Sequence, residues 1–145
     1  RGTVDIFIEP CLPAPQLVVL GASPVAQALS AFAPQFHWSV AATLAQKKPH
    51  QQQFVVVATQ GQGDLDALKA ALSEKKDHVA FVGSRRKYAA LAEKLVAAGI
   101  DRSLIESVQA PAGLNLGAVT PEEIALSILA QFVQIRRMAV KPSHA

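Results

Sequence analysis

Hydrophobic positions along this chain follow two rhythms: short unbroken apolar runs, and longer segments in which apolar residues return every three or four positions. The first rhythm marks strands buried on both faces, and the second marks helices with one inward stripe. Residues 17–20, 54–58 and 79–82 are runs of the first kind. Residues 37–42 are expected to add a strand, and residues 107–110 a final short one. Between them, Ser23 can cap a helix that opens on Pro24, runs to about residue 33 before Pro34, and turns Val25, Ala28, Leu29 and Phe32 inward. Residues 43–48 leave room for only a helical stub, and 46–53 read as an exposed polar loop.

Further along, Leu65, Leu68 and Leu72 form the stripe of a second helix, with Asp64 and Asp66 at its positive end. A third helix over residues 85–98 packs through Tyr88, Leu91, Ala92 and Leu95 and stops at Gly99. Residues 101–106 fit a short helical turn. The run Thr120-Pro121-Glu122-Glu123 then starts a long helix with Ile124, Ile128, Phe132 and Ile135 inward, ending near Arg136 and Arg137. Residues 3–9 alternate Val4, Ile6 and Ile8 against Asp5, Phe7 and Glu9, which suits an outlying strand. The predicted organisation is an outlying strand and proline-rich connector over 1–15, one domain over 16–140, and a flexible tail over 141–145.

Strands alternating with one-faced helices imply right-handed crossovers and a mostly parallel sheet covered on both sides. The expected fold is an α/β, three-layer Rossmann-like domain. Its ligand crevice should lie beyond the carboxyl ends of the strands, where Gly21, Thr59, Gly83 and Pro111 arrive.

Composition narrows the function. With 145 residues, half of them hydrophobic, the chain supports one compact domain. A formal charge of +3, from 14 Lys and Arg against 11 Asp and Glu, is too mild for coating nucleic acid, and the few aromatics do not interleave with basic residues. No apolar run reaches the roughly 20 residues of a membrane span. Cys11, the sole cysteine, excludes an internal disulfide framework and fits a reducing compartment, so a cytoplasmic location is expected. His37, His50, His78 and His144 lack metal-ligand spacing, and no nucleophile stands in a recognisable arrangement with a base, so neither a metal ligand nor a catalytic residue is assigned.

The candidate chemistry is at the strand ends. Gly83-Ser84-Arg85-Arg86-Lys87 places three positive charges in the first turn of a helix, opposite to the usual preference, and so points to an anion. Arg85 suits a forked phosphate contact and Lys87 a mobile point charge, while Ser84 either caps the helix or meets the ligand. Gly21-Ala22-Ser23-Pro24 stands where a dinucleotide fingerprint would, yet Ser23 replaces its second glycine, and no acid ends the next strand to hold a ribose. NAD(P) binding by an oxidoreductase is therefore the alternative, not the leading reading. Thr59, Gly61, Gly63 and Asp64 suit either polar recognition of a heterocycle or an ordinary strand-to-helix turn.

Taken in order, residues 4–10, 17–26, 55–64, 81–87 and 110–125 make the chain resemble the xanthine dehydrogenase accessory family, the XdhC and CoxI proteins, across nearly its whole length. The pairing of Gly-Ser-Arg-Arg-Lys with the later Pro111 to Glu123 segment is its most specific part. The resemblance implies the family's carboxyl-terminal Rossmann-like domain, acting as an accessory protein and not as an enzyme. It implies binding of the molybdenum cofactor, whose molybdopterin carries a phosphate, and its delivery to a xanthine-dehydrogenase-type molybdenum hydroxylase, with a cysteine-desulfurase-type sulfurtransferase as a second partner. The implied contacts are Gly21, Ser23, Thr59, Gly61, Gly63, Asp64, Gly83, Ser84, Arg85 and Lys87. A docking or homodimerisation module, using the residue 120–137 helix or the exposed basic residues, is the third reading.

Overall fold

The computed structural model describes residues 13–44, 47–74 and 76–139. The outlying strand expected over 3–9 and the tail over 141–145 lie outside the described residues. Four strands, β1 (Gln16–Leu20), β2 (Ser39–Ala41), β3 (Gln53–Val57) and β4 (His78–Phe81), form one parallel sheet in the order β2-β1-β3-β4. The helices are α1 (Pro24–Phe32), α2 (Asp64–Ala71), α3 (Arg85–Ala97), α4 (Arg102–Glu106) and α5 (Pro121–Ala139).

Alternation along the strands divides the core into two layers. Leu17, Val19, Phe54, Val56 and Ala80 face α1 and α5, where Leu29, Ile128, Leu129 and Phe132 are buried. Val18, Val55, Val57, Val79 and Phe81 face the other way, onto Leu68, Leu95 and Ile105 of α2, α3 and α4. Burial on both faces explains the unbroken apolar runs of β1, β3 and β4, which helices cover from either side. The three-layer arrangement expected from the sequence is the one present.

Three local expectations are corrected. The strand predicted over 37–42 contracts to Ser39–Ala41, because a 3-10 turn (Ala33–Phe36) extends α1 and His37 closes it in the left-handed region at φ 65°. Trp38 is then 3% exposed, its ring edge-on to Phe54 at 5.1 Å, so it works as a core wedge ahead of the strand. Among the described residues of 43–48 there is no helix. The last strand shrinks to a single parallel bridge between Ala80 and Gln109, in which Phe81 N donates to Gln109 O at 2.9 Å and Gln109 N to Val79 O at 3.0 Å.

The passage from β2 to β3 is pinned at the amino end of the sheet. Gln51 Nε2 donates to Ala14 O at 2.7 Å while its Oε1 accepts from Lys48 N at 2.9 Å. Arg136 Nε of α5 donates to Gln52 Oε1 at 2.9 Å, with its guanidinium over the Trp38 ring. All the strands point away from this seam, toward the crevice.

Candidate functional site

The carboxyl ends of β1, β3 and β4 open onto two adjoining depressions that share Val82 as a wall. The smaller, of about 240 Å³, is lined by Ser23, Pro24, Ala58, Gln60, Lys87 and Pro121. The larger, of about 770 Å³, lies between the start of α3, through Gly83, Ser84 and Arg85, and the loop from Pro111 to Ala118. Its volume falls in the range that holds a small-molecule ligand or cofactor.

Beside the smaller depression the turn chemistry is used internally. Gly21 has φ +120°, and a Cβ there would come within 2.6 Å of the Ala58 carbonyl carbon and 2.9 Å of Thr59 Cα. The first fingerprint glycine therefore lets the loop after β1 press against the end of β3. The Ser23 hydroxyl accepts from Ala26 N at 3.2 Å, and Pro24 has no amide to offer. Both features remove donors that a dinucleotide pyrophosphate would need at the start of α1.

Lys87 and Asp64 find each other. The Asp64 side chain, 7% exposed, meets Lys87 Nζ at 3.3 Å, accepts from Gly61 N at 3.2 Å and also accepts the Thr59 hydroxyl. Gly61 and Gly63 take positive φ in this turn, at 86° and 79°. Thr59, Gly61, Gly63, Asp64 and Lys87 thus form one strut between the first turns of α2 and α3. The anticipated split between heterocycle contacts at Thr59 to Asp64 and a phosphate contact at Lys87 has this competing internal use.

Arg85 stands apart from that strut. It lines the larger cavity and has no side-chain partner among the described residues. Ser84 caps α3 by accepting from Lys87 N at 3.0 Å. Gly83 is tight for another reason, since a Cβ there would come within 2.9 Å of the Phe81 ring. Farther along α3, Tyr88 donates to Ile105 O at 2.6 Å, and burial pushes its phenol up to about 12. That bond anchors the basic turn to α4.

The opposite wall was not among the residues singled out for ligand contact. Ala112 N donates to Phe81 O at 2.9 Å, Gly113 N to Gln131 Oε1 at 2.9 Å, and Leu114 N to Ser127 O at 3.1 Å. The capping box expected at α5 forms: Thr120 Oγ1 accepts from Glu123 N, and Glu123 Oε1 accepts from Val119 N and Thr120 N. Those bonds, Val119 first and then Thr120, hold the Glu123 carboxyl below its usual value. The available signals were the two glycines of the loop and its specific Pro111 to Glu123 pattern. Among the described residues, no group of three or more His, Cys, Asp or Glu could hold a metal, and no helix is long and apolar enough to cross a membrane.

Comparison with known proteins agrees with this fold. Over 96 residues the chain is 36% identical to the uncharacterized protein YqeB of Escherichia coli K12, an alignment covering 63% of this chain and 18% of that protein. A crystal structure described as a xanthine dehydrogenase from Bacillus halodurans has the same fold, with a TM-score of 0.69 at 23% identity over 89% of this chain and 44% of its own. The chain therefore spans less than half the length of either relative. Residues 17–132, from β1 through most of α5 and across both depressions, match the XdhC Rossmann domain, and the chain belongs to that family.

Proposed function

We propose that this chain is the cofactor-holding domain of an accessory factor that serves a xanthine-dehydrogenase-type molybdenum hydroxylase. The observation that carries the reading is the cavity of about 770 Å³ with an unpaired Arg85 at the start of α3. A phosphate and a planar heterocycle suit that pair of features. The guanidinium and the Arg85 and Arg86 amides at the start of α3 would bind the phosphate, and the 111–118 loop would flank the ring. Molybdopterin meets this description, and with molybdenum held on its dithiolene it would supply the metal centre that the hydroxylase uses. The chain itself binds and shields it, while sulfuration belongs to a sulfurtransferase partner.

Lys87 has a smaller part in this scheme, because its ammonium is paired with Asp64. Arg85→Ala should weaken binding of molybdopterin by about tenfold to a hundredfold, the usual range for a charge-assisted contact. Lys87→Ala should weaken it less. Equal affinity in wild type and Arg85→Ala, measured by fluorescence titration, would remove the basic turn from the site. Delivery needs its own assay, the reactivation of an apo-hydroxylase by the loaded chain. The oxidoreductase alternative has less support, because Ser23 and Pro24 take two donors from the place where a nicotinamide cofactor would dock. Calorimetric silence with NAD(H) and NADP(H) is the expected result.

A further inference from the structure

We propose that Gln131 is a positioning residue for the ligand cavity, and that its carboxamide sets the shape of the wall facing Arg85. This inference rests on the larger cavity being the ligand site. Gln131 is 9% exposed and sits on α5 beside Ile128 and Phe132, which are fully buried. A polar side chain in such a place destabilises the fold unless it is hydrogen-bonded, and a leucine or methionine would pack there without that requirement. Its bonds leave the helix altogether. Oε1 accepts from Gly113 N at 2.9 Å, and Nε2 reaches Gly113 O at 3.4 Å, so the carboxamide grips both polar atoms of one loop residue as a neighbouring strand would.

One turn earlier on the same face, Ser127 is 2% exposed and acts on the same stretch. Its carbonyl accepts from Leu114 N, and its hydroxyl donates to Ile124 O at 2.7 Å. Gly113 has φ +98°, and a Cβ there would come within 3.1 Å of Ser127 Cβ and 3.2 Å of Ile128 N. Glycine thus brings the backbone close enough for Gln131 to hold it. With Ala112 N bound to Phe81 O, three successive amides are fixed to the scaffold immediately before Asn115 and Leu116, which line the cavity. Gly113, Ser127 and Gln131 themselves line the cavity, so the grip acts on its wall.

Amide hydrogen exchange on the whole chain, with binding of neopterin phosphate and of inorganic pyrophosphate, tests this assignment. Gln131→Met keeps length and burial but loses both bonds, and Gln131→Glu keeps the acceptor and loses the donor. In Gln131→Met, the Gly113 and Leu114 amides should exchange at least about tenfold faster while those of β3 stay protected. Affinity for neopterin phosphate should fall about tenfold with pyrophosphate affinity unchanged, and Gln131→Glu should lie between. Unchanged loop protection, or an equal loss for both probes, would overturn the positioning role. A wild-type chain that binds neither probe overturns the proposed function instead, and the exchange data still decide whether Gln131 fixes the loop.

Discussion

Replacing Asp64 with alanine should destabilise the fold far more than replacing its partner Lys87 with methionine. The Asp64 carboxylate is 7% exposed and gathers the Lys87 ammonium, the Gly61 amide and the Thr59 hydroxyl. Each neutral donor left without its acceptor costs about 1 kcal/mol, and the ion pair adds on the order of 1 kcal/mol because Lys87 is 44% exposed and screened by water. Asp64→Ala should therefore lose about 2–4 kcal/mol. Lys87→Met leaves the carboxylate with two donors and the favourable start of α2, so its loss should stay near 1 kcal/mol. In urea, where slopes are about 1–3 kcal/mol per molar, the first variant should unfold roughly 1–2 M earlier than wild type with an unchanged slope. Equal shifts in the two variants would show that the ion pair, and not the set of hydrogen bonds, carries the strut.

Three further outcomes follow from the geometry. Gly63→Ala should cost about 1 kcal/mol from its left-handed backbone alone, since nothing lies within 4 Å of the added carbon, whereas Gly21→Ala should cost roughly 3 kcal/mol or more because it meets the backbone of Ala58; similar melting temperatures would refute the close-approach argument. Ser84→Ala removes the acceptor for Lys87 N and should cost about 1 kcal/mol, read by thermal unfolding, with no loss if water caps the helix equally well. His78 packs on Phe54 and Phe132 with Nε2 buried and without a hydrogen-bond partner among the described residues, and burial lowers its pKa below 6.5. The unfolded chain then binds the proton first, so stability contributed by neutral His78 is intact above pH 6.5 and declines as pH falls from there through the folded value. The urea midpoint of His78→Phe should fall less between pH 7.5 and 5.5 than that of wild type, and identical slopes with pH would exclude His78 as the source.

Much of the architecture was readable because buried parallel strands are a strong local signal. Phe54 to Val57 could hardly be anything else once flanked by polar residues. The shorter elements depended on neighbours. His37 and Trp38 look strand-like in sequence, but the pocket formed by Phe54 and Phe132 takes the indole and leaves the chain only Ser39–Ala41 for pairing. At the site, the basic turn, its Ser84 cap and the convergence of strand ends were legible from residue type and spacing. The pairing of Lys87 with Asp64 was not, since it depends on β3 and β4 lying side by side and bringing α2 and α3 together. Gln131 gave no signal either. A glutamine beside an apolar stripe ordinarily faces water, and only the return of Gly113 against α5 gives it a different use.

The seam at Gln51, Gln52 and Arg136 has a practical consequence for altering this molecule. It ties the amino end of the sheet, while recognition is concentrated at the carboxyl end, and a five-residue strand such as β3 separates the two by about 16 Å. Effects of substitutions that far apart, with no shared partners, add. Gains in thermal tolerance made at the seam should therefore carry over unchanged into chains whose crevice has been redesigned for another phosphorylated ligand.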